Sequence, residues 1–167
     1  LTNLTSLVLI GTQVSAAQVK ALQEKLPKCR ISSLVVFCGK AFPPDTTGIT
    51  CNDESVSDVS PLAKLTNLKS LVLMGTKESD FSVLTSLTSL TSLVLMGTQV
   101  RDVSALAYLT SLTSLDLTGT QVRDVSALAY LTNLTELLLI NTQVSDVSPL
   151  ASLTNLTKLD LRVTQVS

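Results

Sequence analysis

The sequence predicts an α/β solenoid: a right-handed coil with one parallel sheet on its concave side and short turns or 3-10 segments on its convex side. Three observations carry this. A Leu-x-Leu pair recurs at Leu71/Leu73, Leu93/Leu95, Leu115/Leu117, Leu137/Leu139 and Leu159/Leu161, at a constant step of 22 residues. The whole block around each pair recurs with it, so the register holds at every position. A unit this short cannot bury its own apolar face, and stacking equivalent units buries a continuous core.

The repeat spanning 112–133 shows how one unit works. Leu112, Leu115 and Leu117 lead into a short alternating strand, Leu115-Asp116-Leu117. Gly119-Thr120 turns the chain, and Val122 and Val125 then face inward. Ser126-Ala127-Leu128-Ala129 reads as one tight helical turn with Ser126 as its N-cap. At Ser60-Pro61 and Ser148-Pro149, Pro takes the first helical position, where its missing N–H costs nothing. Leu131 and Leu134 carry the chain to the next strand.

The resulting pattern, L-x-x-L-x-L-x-x-(N/T)-x-V-x-D-V-S-P-L, resembles the 22-residue leucine-rich repeats of bacterial internalin-like proteins and of a eukaryotic phosphatase regulatory subunit. The resemblance is close over residues 56 to 167. It implies the leucine-rich-repeat solenoid and a role in holding a protein partner. One departure stands out. The family usually places Asn where this chain has Thr12, Thr76, Thr98, Thr120, Thr142 and Thr164. Thr offers one donor and one acceptor where Asn offers two donors and an acceptor. The expectation is a ladder passing one hydrogen bond per repeat and supporting the turns less completely.

The chain divides into residues 1–31, 32–48 and 49–167. The first segment is one repeat, with Leu4, Leu7 and Leu9 before a turn at Gly11-Thr12. It then changes character: Ser15 to Gln18 resembles a capping box, and Ala17, Ala21 and Leu22 fall at helical spacing. Residues 16 to 26 are therefore predicted to be the only helix longer than two turns, with Ile31 in the next strand. "VKALQEKLPKCRI" resembles the longer helical repeat that closes many bacterial arrays. Residues 32–48 fit no repeat and carry Phe37, Phe42, Pro43, Pro44 and Gly48. They read as an irregular loop bulging from one continuous solenoid; a junction between two arrays is the alternative. From Ile49 the register returns, with Cys51 pointing inward.

Composition excludes several functions. The net charge of −1 offers no basic excess for nucleic acid. No apolar run is long enough to insert in a membrane. Leu1-Thr2-Asn3-Leu4 belongs to a repeat rather than a targeting segment, so the chain reads as a mature or excised piece and its location stays open. Neither end carries a cap-like segment, which makes end-to-end self-association of the fragment an expectation. Cys29, Cys38 and Cys51 are an odd set and no His occurs. They suggest neither a disulfide framework nor a zinc site, and at least two read as small buried hydrophobes. No cofactor is implied.

The candidate site is the concave face. Strand residues between the inward leucines point there, giving Val72, Met74, Val94 and Met96, then Asp116 and Thr118, then Glu136, Leu138 and Ile140, and finally Lys158, Asp160 and Arg162. The first four form an apolar strip expected to stand in solvent, extended past a polar gap by Leu138 and Ile140. Met suits adaptable contacts.

Other recurrent residues read more plainly. Asp58, Asp80, Asp102, Asp124 and Asp146 suggest a calcium ladder, but one carboxylate per repeat is too few oxygens. The better reading is that each accepts N–H groups of the following turn. Arg101 and Arg123 are placed to offset the stacked acids. Tyr108 and Tyr130 are neighbours on the outer side. The sequons at Asn3, Asn133 and Asn155 follow from the repeated "LTNLT". Glu78 occupies a slot that is Val in the other repeats. The chain is expected to distort there so that Glu78 reaches solvent or pairs with Lys77 or another cation. No nucleophile elbow, phosphate loop or acid–base pair occurs, since Asp116 and Asp160 lie two repeats apart.

A protein-binding module that is not an enzyme is therefore the leading reading. A scaffold or spacer within a longer repeat protein is the alternative, as is a regulatory subunit of an enzyme. The last is disfavoured because no aromatic residue falls on the concave strands.

Overall fold

The computed structural model describes residues 3–9, 14, 16–32 and 34–166. Its main body is a six-stranded sheet of β5 (Gly48–Cys51), β6 (Ser70–Leu73), β7 (Ser92–Val94), β8 (Ser114–Asp116), β9 (Glu136–Leu138) and β10 (Lys158–Asp160). Every neighbouring pair is parallel and in sequence order, and partners such as Leu71↔Leu93 and Leu115↔Leu137 preserve the repeat register. The chain returns between strands through five 3-10 segments, Ser60–Lys64, Ser82–Ser86, Ser104–Tyr108, Ser126–Tyr130 and Ser148–Ser152. This is the solenoid the period predicts.

The core is the row of leucines and valines repeated in each coil. Leu112, Leu115, Leu117, Val122, Val125 and Leu128 are all fully buried. Each such side chain contributes roughly 1.5–3 kcal/mol by leaving water.

The 3-10 turns are capped by the recurrent Asp residues, as expected for them, and not by the Ser hydroxyl. No hydroxyl cap forms at Ser126, the first residue of its segment. Asp124 does the work: its carboxylate accepts the N–H of Ser126 at 2.8 Å. Asp58, Asp80, Asp102 and Asp146 do the same two residues ahead. A carboxylate is the stronger acceptor, and its reach to the second following N–H fits this turn.

The threonine ladder also differs. Thr98, Thr120, Thr142 and Thr164 donate to the carbonyl of the Leu three residues earlier, within their own repeat. The bonds that cross repeats come from other residues. Thr91, Thr113, Thr135 and Thr157 each donate to a carbonyl of the preceding coil, as do Asn133 and Asn155.

Glu78 disturbs its coil. Thr76 is fully buried and its hydroxyl has no partner. Elsewhere the carbonyl of the equivalent Val accepts an N–H of the next coil, as from Gln121 to Val100 and Gln143 to Val122. Among the described residues no such bond joins Gln99 to Glu78. Glu78 is half-buried, and its carboxylate accepts the N–H groups of Ser79 and Asp80, both at 2.7 Å. The expected distortion is present, but backbone donors rather than a cation satisfy the charge.

The N-terminal part is built separately. β1 (Ser6–Val8) pairs in parallel with β2 (Arg30–Ser32), and α1 (Ala16–Lys25) connects them. α1 is the only α-helix among the described residues. Ser15 and Thr12, named above as cap and ladder residues, lie outside the described residues.

Residues 32–48 are not an irregular loop. β3 (Val35–Phe37) and β4 (Lys40–Phe42) form an antiparallel hairpin, so the strands of the chain are not all parallel. Its two-residue turn, Cys38-Gly39, has positive φ at both positions, 50° and 68°, the backbone twist that joins antiparallel strands. Val35 and Phe37 bury themselves in the same core as Ile49, Cys51 and Leu62. Cys38 and Cys51 form a disulfide, which corrects the reading of the cysteines as unlinked. The hairpin folds back over the first coil and brings the two sulfurs together. Cys29 is the free thiol, buried apart from the main core. Among the described residues the β1–β2 sheet does not run on into the six-stranded sheet.

Candidate functional site

Side chains alternate along each strand, so every leucine that enters the core leaves its neighbours on the open face. Three rows cross that face. Strand pairing aligns Val72, Val94, Asp116, Leu138 and Asp160. One step earlier lie Ser70, Ser92, Ser114, Glu136 and Lys158. Just past the strands lie Met74, Met96, Thr118, Ile140 and Arg162. There the N–H of Gly75, Gly97, Gly119 and Asn141 bonds the carbonyl of the next residue in the row.

The structure therefore brings the candidate residues onto one face. It corrects their exposure. Val72, Met74, Val94, Met96, Leu138 and Ile140 are half-buried rather than free in solvent. Strands about 4.8 Å apart make adjacent side chains cover each other's flanks. The apolar strip is a continuous but shallow surface.

The other half of the face is polar and largely self-satisfied. Asp116 accepts the N–H of Thr118 at 2.8 Å. Lys158 bonds Glu136 at 2.6 Å, and the Ser114 hydroxyl approaches the same carboxylate at 3.5 Å. Arg162 grips Asp160 with its guanidinium, at 2.7 Å for the closest pair. The Lys158 hydrogen bond, reinforced by its charge, holds the Glu136 carboxyl below its usual range. The Arg162 side chain and N–H do the same for Asp160. Reciprocally, Glu136 raises Lys158 and Asp160 raises Arg162. Ionised and paired at neutral pH, these groups can orient a partner but are poorly suited to donating a proton. Among the described residues no cluster of three or more His, Cys, Asp or Glu could hold a metal. No described helix is long and apolar enough to cross a membrane.

Reading the sequence missed the disulfide and the hairpin. The signal was present: Cys-Gly between "VVF" and "KAF" is a two-residue turn flanked by short apolar strands.

Known proteins fit this geometry. A family model described as "Leucine Rich repeats (2 copies)" matches residues 88–130 and 132–167. Among curated proteins no match was found. Among solved structures, an internalin (inlF) of Listeria monocytogenes is 29% identical with a TM-score of 0.57, over 98% of this chain and 49% of its own. The chain thus spans about half the length of that structure. Internalin C2 of the same organism is 30% identical with a TM-score of 0.64, over 93% of this chain and 79% of its own. The LRR ectodomain of the receptor kinase SOBIR1 from Arabidopsis thaliana shares the fold, with 20% identity and a TM-score of 0.62, over 77% of this chain and 75% of its own.

Proposed function

The chain belongs to the leucine-rich-repeat proteins, with 22-residue repeats of the internalin type, and on that premise we propose that it binds a protein partner through the open face of its six-stranded sheet. Repeats of this class generally mediate protein–protein interaction. The observation that carries the reading is the strip of Val72, Met74, Val94 and Met96 on adjacent strands. A partner that covers it removes apolar area from water at little cost in polar desolvation. Beside it, Asp116, Thr118, Glu136, Lys158, Asp160 and Arg162 supply the polar rim that fixes orientation, and Leu138 and Ile140 extend the apolar contact. Binding rather than catalysis suits a face whose carboxylates are already engaged.

The same reading treats residues 1–31 and 49–167 as two arrays, with 32–48 as the segment between them. Three separate sheets support it, as does the absence of element contacts between the β1–α1–β2 unit and the rest among the described residues.

The test is affinity capture with the wild-type chain and with the Met74→Asp/Met96→Asp double variant, each checked for thermal stability. A partner captured by the first and lost by the second, with both folded, supports the reading. Capture at wild-type affinity by the folded variant places the site elsewhere. Unfolding of the variant makes both Met residues structural and removes the argument.

A further inference from the structure

A second surface lies on the outer flank of the coils, away from the sheet face. Two consecutive repeats carry identical segments, "QVRDVSALAY", at 99–108 and 121–130. Three hollows run along them. The first two share Arg101 and Asp124, and the first and third share Ser104, so they adjoin one another as a shallow groove along the flank. One end holds both arginines, with Arg101, Gln121, Arg123, Asp124 and Gln143 around a hollow of about 550 Å³. The other is aromatic, walled by Tyr108 and Tyr130.

The groove is not spent on the fold. Tyr108 and Tyr130, the only tyrosines of the chain, are 63% and 67% exposed. Arg101 makes no hydrogen bond or ion pair among the described residues. Arg123 uses only its Nε, which donates to Gln143 at 2.6 Å, so both terminal nitrogens remain. Among the described residues the adjacent acids form no ion pair with these guanidinium groups. Asp102 and Asp124 turn their carboxylates to the N–H of Ser104 and Ser126 instead. Equivalent positions elsewhere hold Ser57, Ser79 and Ser145 for the Arg, and Lys64, Ser86 and Ser152 for the Tyr. The scaffold needs neither residue, and Arg and Tyr are the types that dominate binding energy at protein interfaces.

We propose that this flank groove docks an acidic protein segment, with two of its carboxylates on Arg101 and Arg123 and a neighbouring apolar side chain over Tyr108 and Tyr130. The Gln121 N–H bonds the Val100 carbonyl of the preceding coil at 3.1 Å, which holds equivalent residues here about 5 Å apart, as in hydrogen-bonded strands. Acidic residues at i and i+4 of a helix have Cβ atoms about 5–6 Å apart and match that step. The groove also contains Asp102 and Asp124, which repel a continuous polyanion but tolerate carboxylates placed only at the arginines. That favours a protein segment over a nucleic acid or a sulfated polysaccharide.

The test titrates the full isotope-labelled chain with a synthetic helical peptide bearing Glu at i and i+4 and Leu one turn on. Its control replaces both Glu by Gln. Amide shifts confined to 99–108 and 121–130, lost with the control peptide and weakened by added salt, support the proposal. Arg101→Ser/Arg123→Ser and Tyr108→Ser/Tyr130→Ser install residues found at those positions in other coils, so the fold is retained. Each should weaken binding at least fivefold. The proposal is overturned by no shift at millimolar peptide, by unchanged affinity of the variants, or by a heparin oligosaccharide shifting these amides where the peptide does not.

Discussion

Breaking the link between Cys38 and Cys51 should loosen the hairpin from the first coil and lower the stability of the array. Cys38→Ala is the cleanest perturbation, because Cys51 can stay buried as a small apolar side chain. The linked residues are 13 apart in sequence. On the chain-entropy account, closing a loop of this size destabilises the unfolded chain by about 3 kcal/mol. With a urea dependence of about 2 kcal/mol per molar, that is a fall of about 1.5 M in the unfolding midpoint. Reductant should move the wild type by a similar amount and leave Cys38→Ala where it is. Hydrogen exchange should localise the change, with the amides of Ile49 to Cys51 losing protection before those of β8. A wild-type midpoint that does not move on full reduction would refute the reasoning: the hairpin would then be held by Val35 and Phe37 alone.

Three further outcomes are expected. Val163 sits at φ 59° and is 74% exposed, at the position held by Gly75, Gly97, Gly119 and Asn141 in other coils. A β-branched residue is strained there, so Val163→Asn should raise stability by about 0.5–1 kcal/mol in urea unfolding; a loss would contradict the register. Glu78→Val restores the residue that is buried as Val100, Val122 and Val144. It should be neutral or stabilise by about 1–2 kcal/mol, and clear destabilisation would mean that its two backbone bonds matter more than core filling. Finally, the following Ser holds the carboxyls of Asp58, Asp124 and Asp146 low through its hydroxyl and then its N–H, and that of Asp80 through its N–H and then its hydroxyl. A pKa depressed on folding gives stability that is present above the unfolded value near 3.9 and lost as pH falls through the folded value. With no His in the chain, thermal stability should be flat from pH 7 to 5 and decline below about 4; a decline centred above pH 5 would count against it.

Much of the fold was legible because a solenoid translates sequence period directly into space. Leu71, Leu93, Leu115 and Leu137 become adjacent as soon as one strand pairs with the next. The role of the Asp residues was legible too, since their N–H partners lie only two residues ahead. What escaped depends on choices that period does not make. A Thr hydroxyl has one proton: Thr98 gives it to its own coil and Thr113 to the preceding one, and nothing in either residue's type decides which. The half-burial of Met74 and Met96 comes from the closeness of neighbouring strands, which a face assignment ignores. Cys38 meets Cys51 across residues that follow no repeat, where only the Cys-Gly turn hinted at a hairpin.

Duplication supplies its own way of separating scaffold from recognition. Whatever a coil needs in order to stack must recur in every coil, as the buried leucines and the turn-capping Asp residues do. A residue that appears in only one or two coils is released from that requirement. It either costs the fold something or serves a contact. Glu78 falls on the first side: it replaces a core Val, interrupts a cross-coil bond and leaves the buried hydroxyl of Thr76 without a partner. Arg101, Arg123, Tyr108 and Tyr130 fall on the second, since they are unrepeated elsewhere, project outward and disturb no bond of the coil. Met74 and Met96 stand between, sharing their row with Thr118, Ile140 and Arg162. That row tolerates apolar, polar and charged side chains on one backbone geometry, so the Met pair is a feature of the surface rather than of the stacking.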